Sequence, residues 1–156
     1  MRSPGRRLLH LWRRLRPLPG GQWLFSRIFG LLVPYSGSIR PRMRVFEPGH
    51  AEIEIPDRRS NRQHLGSIHA IALLNAAEQV SGLAMLAGLP DGVRGIVTGI
   101  SMQYLKKARG TIRAVSRVAV PVVTQDMECD VTADCMDGSG DVVARATVRW
   151  RLGPAP

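Results

Sequence analysis

Apolar residues recur along this 156-residue chain at helical spacing, at strand spacing and in one nearly unbroken run. Leu8, Leu11, Trp12 and Leu15 fall at i, i+3, i+4 and i+7, with Arg6, Arg7, Arg13, Arg14 and Arg16 around them. That is the stripe of an amphipathic helix. Pro17, Pro19, Gly20 and Gly21 break it. A second apolar stretch runs from Trp23 to Val33, carries Arg27 inside it and ends at Pro34. It falls well short of the ~20 residues that span a bilayer. Two segments split by Pro and Gly, with an arginine in the apolar run, fit a cleaved signal peptide poorly. The second helix is expected to pack on the domain and cover an edge, and the first to contact a membrane surface.

Alternation takes over afterwards. Ile39, Met43 and Val45 alternate with Arg40, Arg42 and Arg44, and Pro41 marks an edge strand. Glu47 to His50 form a turn, and Ala51, Ile53 and Ile55 then alternate with Glu52 and Glu54. A three-residue loop there would set Arg44 opposite Glu54. Residues 57–66 read as a polar loop. A helix is predicted over 67–87, with Ser67 as cap and Gly88 and Pro90 as its end. Its side chains are apolar on nearly every face, so it belongs inside the protein. It is long enough to cross a membrane, but His69, Asn75, Glu78 and Gln79 count against that.

Four strand-like runs follow. Ile96, Ile100, Met102 and Tyr104 are expected on one face of 94–105, and Ile112, Ala114, Val118 and Val120 on one face of 111–120. In 125–136, Met127, Cys129, Val131 and Ala133 oppose Asp126, Glu128, Asp130 and Asp134. In 141–151, Val142, Ala144, Ala146, Val148 and Trp150 oppose Arg145, Arg149 and Arg151. The turn Asp137–Gly138–Ser139–Gly140 joins these last two, so the acids of one can neutralise the arginines of the next on a solvated face. Two strands, a long buried helix and four strands make an α+β layer. No internal repeat or low-complexity tract occurs.

Charge changes this picture only at the N-terminus. The chain carries a formal +10, but residues 1–44 hold ten arginines and no acid, and the remainder balances to zero. A basic, apolar-periodic arm on a neutral domain favours an anionic membrane surface or partner. Nucleic acid is not expected as a partner, because a DNA-binding face would show its charge in the domain. Binding through the arm alone is a third reading. Cys129 and Cys135 lie six residues apart on one predicted strand, roughly 20 Å by its rise, too far to bridge. Reduced thiols in a cytoplasmic setting are the default.

Glu78 is the sharpest chemical feature. A carboxylate within an apolar helix is paired, protonated or facing a cavity, and the last case makes it a candidate catalytic group. A structural carboxylate bonded to Asn75 or to backbone is the competing reading. No Gly-x-Ser-x-Gly occurs, which argues against a serine hydrolase, and the four histidines form no metal set.

The stretch Gln63 to Glu78, QHLGSIHAIALLNAAE, resembles the hotdog-fold thioesterase superfamily, and within it the small acyl-CoA thioesterases of the phenylacetate-pathway type. Their motif is Asn-x-x-Gly-x-x-His-Gly-Gly with an acid nine positions after the histidine. Gln63 stands at the Asn position, Gly66 at the Gly and His69 at the His. Ala70 and Ile71 replace the two glycines, and Glu78 stands at the acid. Gln103 to Gly110 is similar to the family's strand-end pattern, with Lys107 where Pro is usual. A branch of uncharacterised hotdog domains also lacks the double glycine. The likeness covers about residues 38–152, leaving a basic helical arm at 1–37 and a tail at 153–156.

What the resemblance implies is a hotdog fold: one long buried helix on a six-stranded antiparallel sheet, preceded by the helical arm. It also implies a homodimer or dimer of dimers, with a thioester site at the dimer interface below the helix start. The activity would be hydrolysis of an acyl-CoA or acyl-carrier-protein thioester, with coenzyme A entering only as part of the substrate. Glu78 would be base or nucleophile, and the backbone around Ala70 an oxyanion donor. His69 would orient the thioester, and His64 and Gln63 would polarise the carbonyl or water. Lys106, Lys107 and Arg109 would hold coenzyme A phosphates, although a solvated turn explains them equally. Ala70 and Ile71 bring side chains where glycine lets a ligand approach; Ile71 either points into the core or the pocket is narrowed. The alternative is a non-catalytic acyl-binding or scaffold protein, peripheral to a membrane through its arm.

Overall fold

The structure, a computed structural model, describes residues 4–155. Three helices open the chain: α1 (Pro4–Leu15), α2 (Gly21–Leu32) and the single turn α3 (Pro34–Gly37). Proline begins α1, where its missing N–H costs nothing, and Pro17 stops its continuation. Strands β1 (Arg42–Glu47) and β2 (His50–Ile55) form a hairpin, the central helix α4 (Ala70–Gly88) follows, and β3 (Val93–Tyr104), β4 (Ile112–Arg117), β5 (Met127–Met136) and β6 (Val142–Pro154) complete the chain. The six strands make one antiparallel sheet in the order β1-β2-β4-β5-β6-β3. This is the α+β hotdog layer.

Helix α4 lies across the sheet and carries the core. Ala76, Ala77, Val80, Ala84 and Met85 are fully buried, against Ile53, Ile112, Ala114, Ala146 and Val148 from the strands. Its many alanines favour helix and let the sheet approach closely. It is the one described helix long and apolar enough to cross a membrane, and its buried surroundings mark it as a core helix. It starts three residues later than the sequence predicts. His69 is the cap, its Nδ1 accepting the Ile71 N–H at 3.1 Å, while Ser67 Oγ accepts from Gln63 Nε2 at 2.7 Å.

The face of α4 turned from the sheet is covered by the arm. Trp12 of α1 meets Phe25 of α2 edge-on at 5.1 Å between ring centres, and Phe25 lies 6.1 Å from Phe46 of β1. Leu9, Trp12, Phe25 and Phe29 thereby join the same core as the sheet. Both arm helices pack on the protein, so the apolar stripe of α1 is spent there, with Trp12 1% exposed.

The paired charges of the last two strands are as the alternation requires. Asp130 pairs with Arg149 and Asp134 with Arg145, each bidentate. Three register shifts depart from it, one of them between Cys135 and Met136, where β6 carries the extra residue Val143. Pro48 and Gly49 form a two-residue turn, with Gly49 at φ 80°, and a register shift at Arg44 still lets its guanidinium reach Glu54 at 2.6 Å. The shift between Val97 and Gly99 reverses the faces of β3. Ile96 is therefore opposite Arg151 on the outer side, whereas Ile100, Met102 and Tyr104 are opposite Val148, Ala146 and Ala144. The four do not share a face. Both cysteines are free thiols.

Because the arm and the sheet share one core, Phe25→Ala is expected to destabilise the whole protein by about 3–5 kcal/mol, read as a shift in the urea midpoint of a single transition. A separate early transition for the arm, with the main one unmoved, would contradict the shared core.

Candidate active site

Two of the cavities bordering α4 divide the residues that the sequence singles out. The first, of about 560 Å³, lies at the start of the helix. Gln63, His64, His69, Ala70, Tyr104 and Lys107 are among its lining residues. The loop before the helix is built to hold this shape. The Asn61 side-chain amide donates to the carbonyls of Ile39 and Pro56 at 2.9 and 3.0 Å, and the Asn61 backbone carbonyl accepts the His69 N–H at 2.8 Å. Gly66, at φ 78°, takes the tight turn between Gln63 and Ser67. Gln63 is occupied within this loop: its amide donates to Ser67 Oγ and accepts from the Leu65 N–H.

A helix start offers N–H groups without intrahelical acceptors and a favourable dipole for negative charge. The Ile71 N–H is taken by His69 Nδ1, which leaves the ring proton on Nε2, and the Leu73 N–H is taken by the His69 carbonyl at 3.1 Å. Ala70, in the cavity wall, has no acceptor for its N–H within the helix. Ile71 is 49% exposed and stays outside both the core and this cavity, so of the two residues replacing glycine only Ala70 borders the space. Tyr104 closes the far wall, its hydroxyl donating to the Ala70 carbonyl at 3.1 Å; burial, and behind it the Cys135 sulfur, pushes this phenol upward. The sequence points to Tyr104 through its strand pattern and its place in the Gln103–Gly110 family pattern, not through this bond.

The basic residues nearby are not alike. Lys106 is held by Asp137 at 2.8 Å and Asp141 at 2.6 Å in the β5–β6 turn, and chiefly the Asp137 hydrogen bond, then that of Asp141, pushes it up to about 12. Lys107 borders the cavity and Arg109 is exposed outside its lining. No cluster of three or more histidine, cysteine or acidic side chains suited to a metal occurs among the described residues.

Glu78 lies in the second cavity, about 250 Å³, between α4, the arm and β6. Nine residues past His69, it is roughly 13 Å farther along the helix axis, so one chain does not bring the two together. Leu8, Phe29, Phe46, Leu83, Leu86 and Trp150 give this cavity its apolar lining. Glu78 is half-buried, and no ion pair or side-chain hydrogen bond reaches its carboxyl among the described residues. Asn75 is otherwise engaged, donating to the Tyr35 carbonyl and accepting from Gln79 Nε2. Burial in this surrounding raises the Glu78 carboxyl above the usual carboxylate range. Ser81 fixes the backbone here, donating to the Glu78 carbonyl at 2.8 Å and accepting the Trp150 indole N–H at 3.2 Å. The sequence places Trp150 on the apolar face of its strand but does not pair it with Ser81, because their meeting depends on packing between distant elements.

The family model described as Domain of unknown function (DUF4442) matches residues 21–152. No curated protein matches the chain. Among solved structures, the structural-genomics protein APC5556 is similar at 30% identity, over 97% of this chain and 99% of its own, with a TM-score of 0.82. A Pseudomonas aeruginosa protein described as a probable thioesterase is 25% identical, over 88% of this chain and 97% of its own, at a TM-score of 0.72. A phenylacetic acid degradation-related protein of Ralstonia eutropha shares the fold at 19% identity and a TM-score of 0.64, over 76% of this chain and 89% of its own.

The raised Glu78 carboxyl has a signed effect on stability. The folded state holds this proton to higher pH than the unfolded chain, so the contribution is present at acid pH. It is lost as pH rises from the unfolded value through the folded one. Glu78→Gln is expected to raise Tm at pH 7, and the gain should vanish as pH falls below the ordinary carboxylate range. A gain that is the same at all pH values would show that burial of the charge is not its cause.

Proposed function

We propose that this chain, which belongs to the DUF4442 family, hydrolyses an acyl thioester as a homodimer. The observation that carries this reading is the pair of cavities along α4. One offers a helix start with a polar loop, and the other offers a desolvated carboxyl in an apolar pocket. A thioester hydrolase needs both: donors for the developing oxyanion, and a base to activate water. The thioesterase descriptions of structural neighbours support the reaction class at a coarse level.

The separation within one chain is met by pairing two chains. Strand β3 is an edge of the sheet, twelve residues long, and Ile96, Ile100, Tyr104 and Leu105 along or just after it are 65%, 40%, 50% and 57% exposed. A long apolar edge of this kind calls for a partner. Two-fold pairing of β3 with its copy would run the two helices side by side in opposite directions. Glu78 of one protomer would then approach the helix start of the other. Glu78 acts as base on water attacking the carbonyl, or as the attacking nucleophile. The Ala70 N–H receives the oxyanion, His69 Nε2–H and His64 orient the carbonyl or water, and Gln63 holds the loop. The acyl group enters the apolar cavity under the arm. The carrier is coenzyme A or an acyl-carrier protein, with Lys107 and Arg109 the cations left to meet its phosphates.

With a panel of acyl-CoAs and free thiol as the readout, wild-type protein is expected to release thiol. Glu78→Gln should lower the rate by about 10²-fold or more, the scale of a lost general base. Equal rates for the two would remove Glu78 from the chemistry. The absence of thiol release from every acyl-CoA and acyl-carrier-protein substrate would leave acyl binding without turnover.

A further inference from the structure

The outward face of α2 carries large apolar residues on either side of Arg27. Phe25 and Phe29 enter the core, while Trp23, Leu24 and Leu31 stand on the opposite side, 67%, 42% and 80% exposed. Leu32 and Tyr35 extend the patch past the helix end. Alongside this ridge runs a groove of about 700 Å³, between α2, the lead-in to β1 and the segment after β2. Its walls carry Arg27, Arg40, Arg42 and Arg58 against one acid, Asp57, which is bonded to Arg62.

This groove has features that internal packing does not explain. No ion pair among the described residues reaches Arg27, Arg40 or Arg42. Arg58 Nη1 is shut off from water and meets no acceptor, leaving part of a charged group without a counter-charge. Arg40 has φ 50°, the one positive value at a non-glycine residue among those described, a conformation held only where surroundings impose it. An anion in the groove would face the exposed Arg27, Arg40 and Arg42, and arginine suits phosphate by its planar fork.

The apolar ridge decides which anion. A soluble polyanion has no use for Trp23 and Leu31 beside the cations, whereas a phospholipid surface presents phosphates directly above an apolar layer. Tryptophan favours that boundary. Helix α1 is not the inserting element, since Leu9 and Trp12 are buried in the core at 6% and 1% exposure.

We propose that this face of the protein binds an anionic phospholipid surface. Trp23, Leu24 and Leu31 enter the boundary between headgroups and acyl chains, and Arg27, Arg40 and Arg42, all exposed, take the lipid phosphates. The site is independent of thioester hydrolysis and would place the catalytic cavities beside a membrane.

Flotation of the full chain with phosphatidylglycerol–phosphatidylcholine vesicles, against vesicles of phosphatidylcholine alone, tests this directly. Binding to the anionic vesicles should be about tenfold stronger or more, as expected for several basic residues at a charged surface. It should fall with salt. The paired changes Trp23→Ser with Leu31→Ser, and Arg27→Glu with Arg42→Glu, should each reduce it about tenfold, with the helical circular dichroism signal unchanged. Trp12 and Trp150 are buried, so a blue shift of tryptophan emission on adding vesicles reports Trp23, and Trp23→Phe should abolish the shift while flotation persists. Equal binding to both vesicles would overturn the proposal. So would loss of binding only on Arg13→Glu with Arg14→Glu in α1, or stabilisation by inorganic phosphate without vesicle binding.

Discussion

A helix with apolar side chains on nearly every face must be covered on nearly every face, and α4 sets that demand on the rest of this protein. The sheet can cover only one side of it. Apolar surface left in water on the other side would cost roughly 25 cal/mol per Å², so a bare sheet-and-helix layer would be poorly stable or would recruit a partner. The arm answers this within the chain. Trp12, Phe25 and Phe29 lie on the far side of α4, and Phe46 ties them to the first strand.

The places where cover is incomplete are where the proposed site residues lie. Toward Trp150 the arm and sheet leave a gap, and the one carboxyl of α4 faces it. At the start of the helix, the loop folds on itself through Asn61, Gln63 and Ser67 and leaves an open cavity in front of Ala70. A carboxyl with raised proton affinity and a helix start with a free donor are complementary halves of a hydrolytic site. Their separation along one helix puts weight on the β3 edge, where the proposed second protomer would close the distance. The outward apolar ridge of α2 has no such explanation within the fold, which is why it reads as a surface for something outside the protein.

The fold was legible wherever a period was kept. Asp130 and Asp134 face Arg149 and Arg145 because side chains alternate in register from Met127 to Cys135 along β5 and from Ala144 to Leu152 along β6. It was illegible wherever one residue was added: the shift near Thr98 sends Ile96 outward and keeps Ile100 inward, and no local signal in VRGIVTGIS announces it. Ser67 looked like the helix cap because its type favours that role, yet its hydroxyl is used by Gln63 and the cap passes to His69. For the candidate site, Glu78 stood out because an acid in an apolar run is rare. Lys106 could not be told from Lys107 by sequence, since the acids that hold Lys106 come from a turn some thirty residues later. The sequence places Trp150 and Tyr104 on strands, but their bonds to Ser81 and to the Ala70 carbonyl arise only when distant elements meet.

Complementation between two defective protomers reaches the central claim most directly. Glu78→Gln and His69→Ala chains, each inactive alone, are mixed, unfolded together and refolded, and thiol release is measured. A site shared across β3 predicts recovery of about one quarter of the wild-type rate, because half of the dimers are mixed and each holds one intact site of two. A mixture as inactive as its parents, with mixed dimers demonstrably present, would contradict a site assembled from two chains.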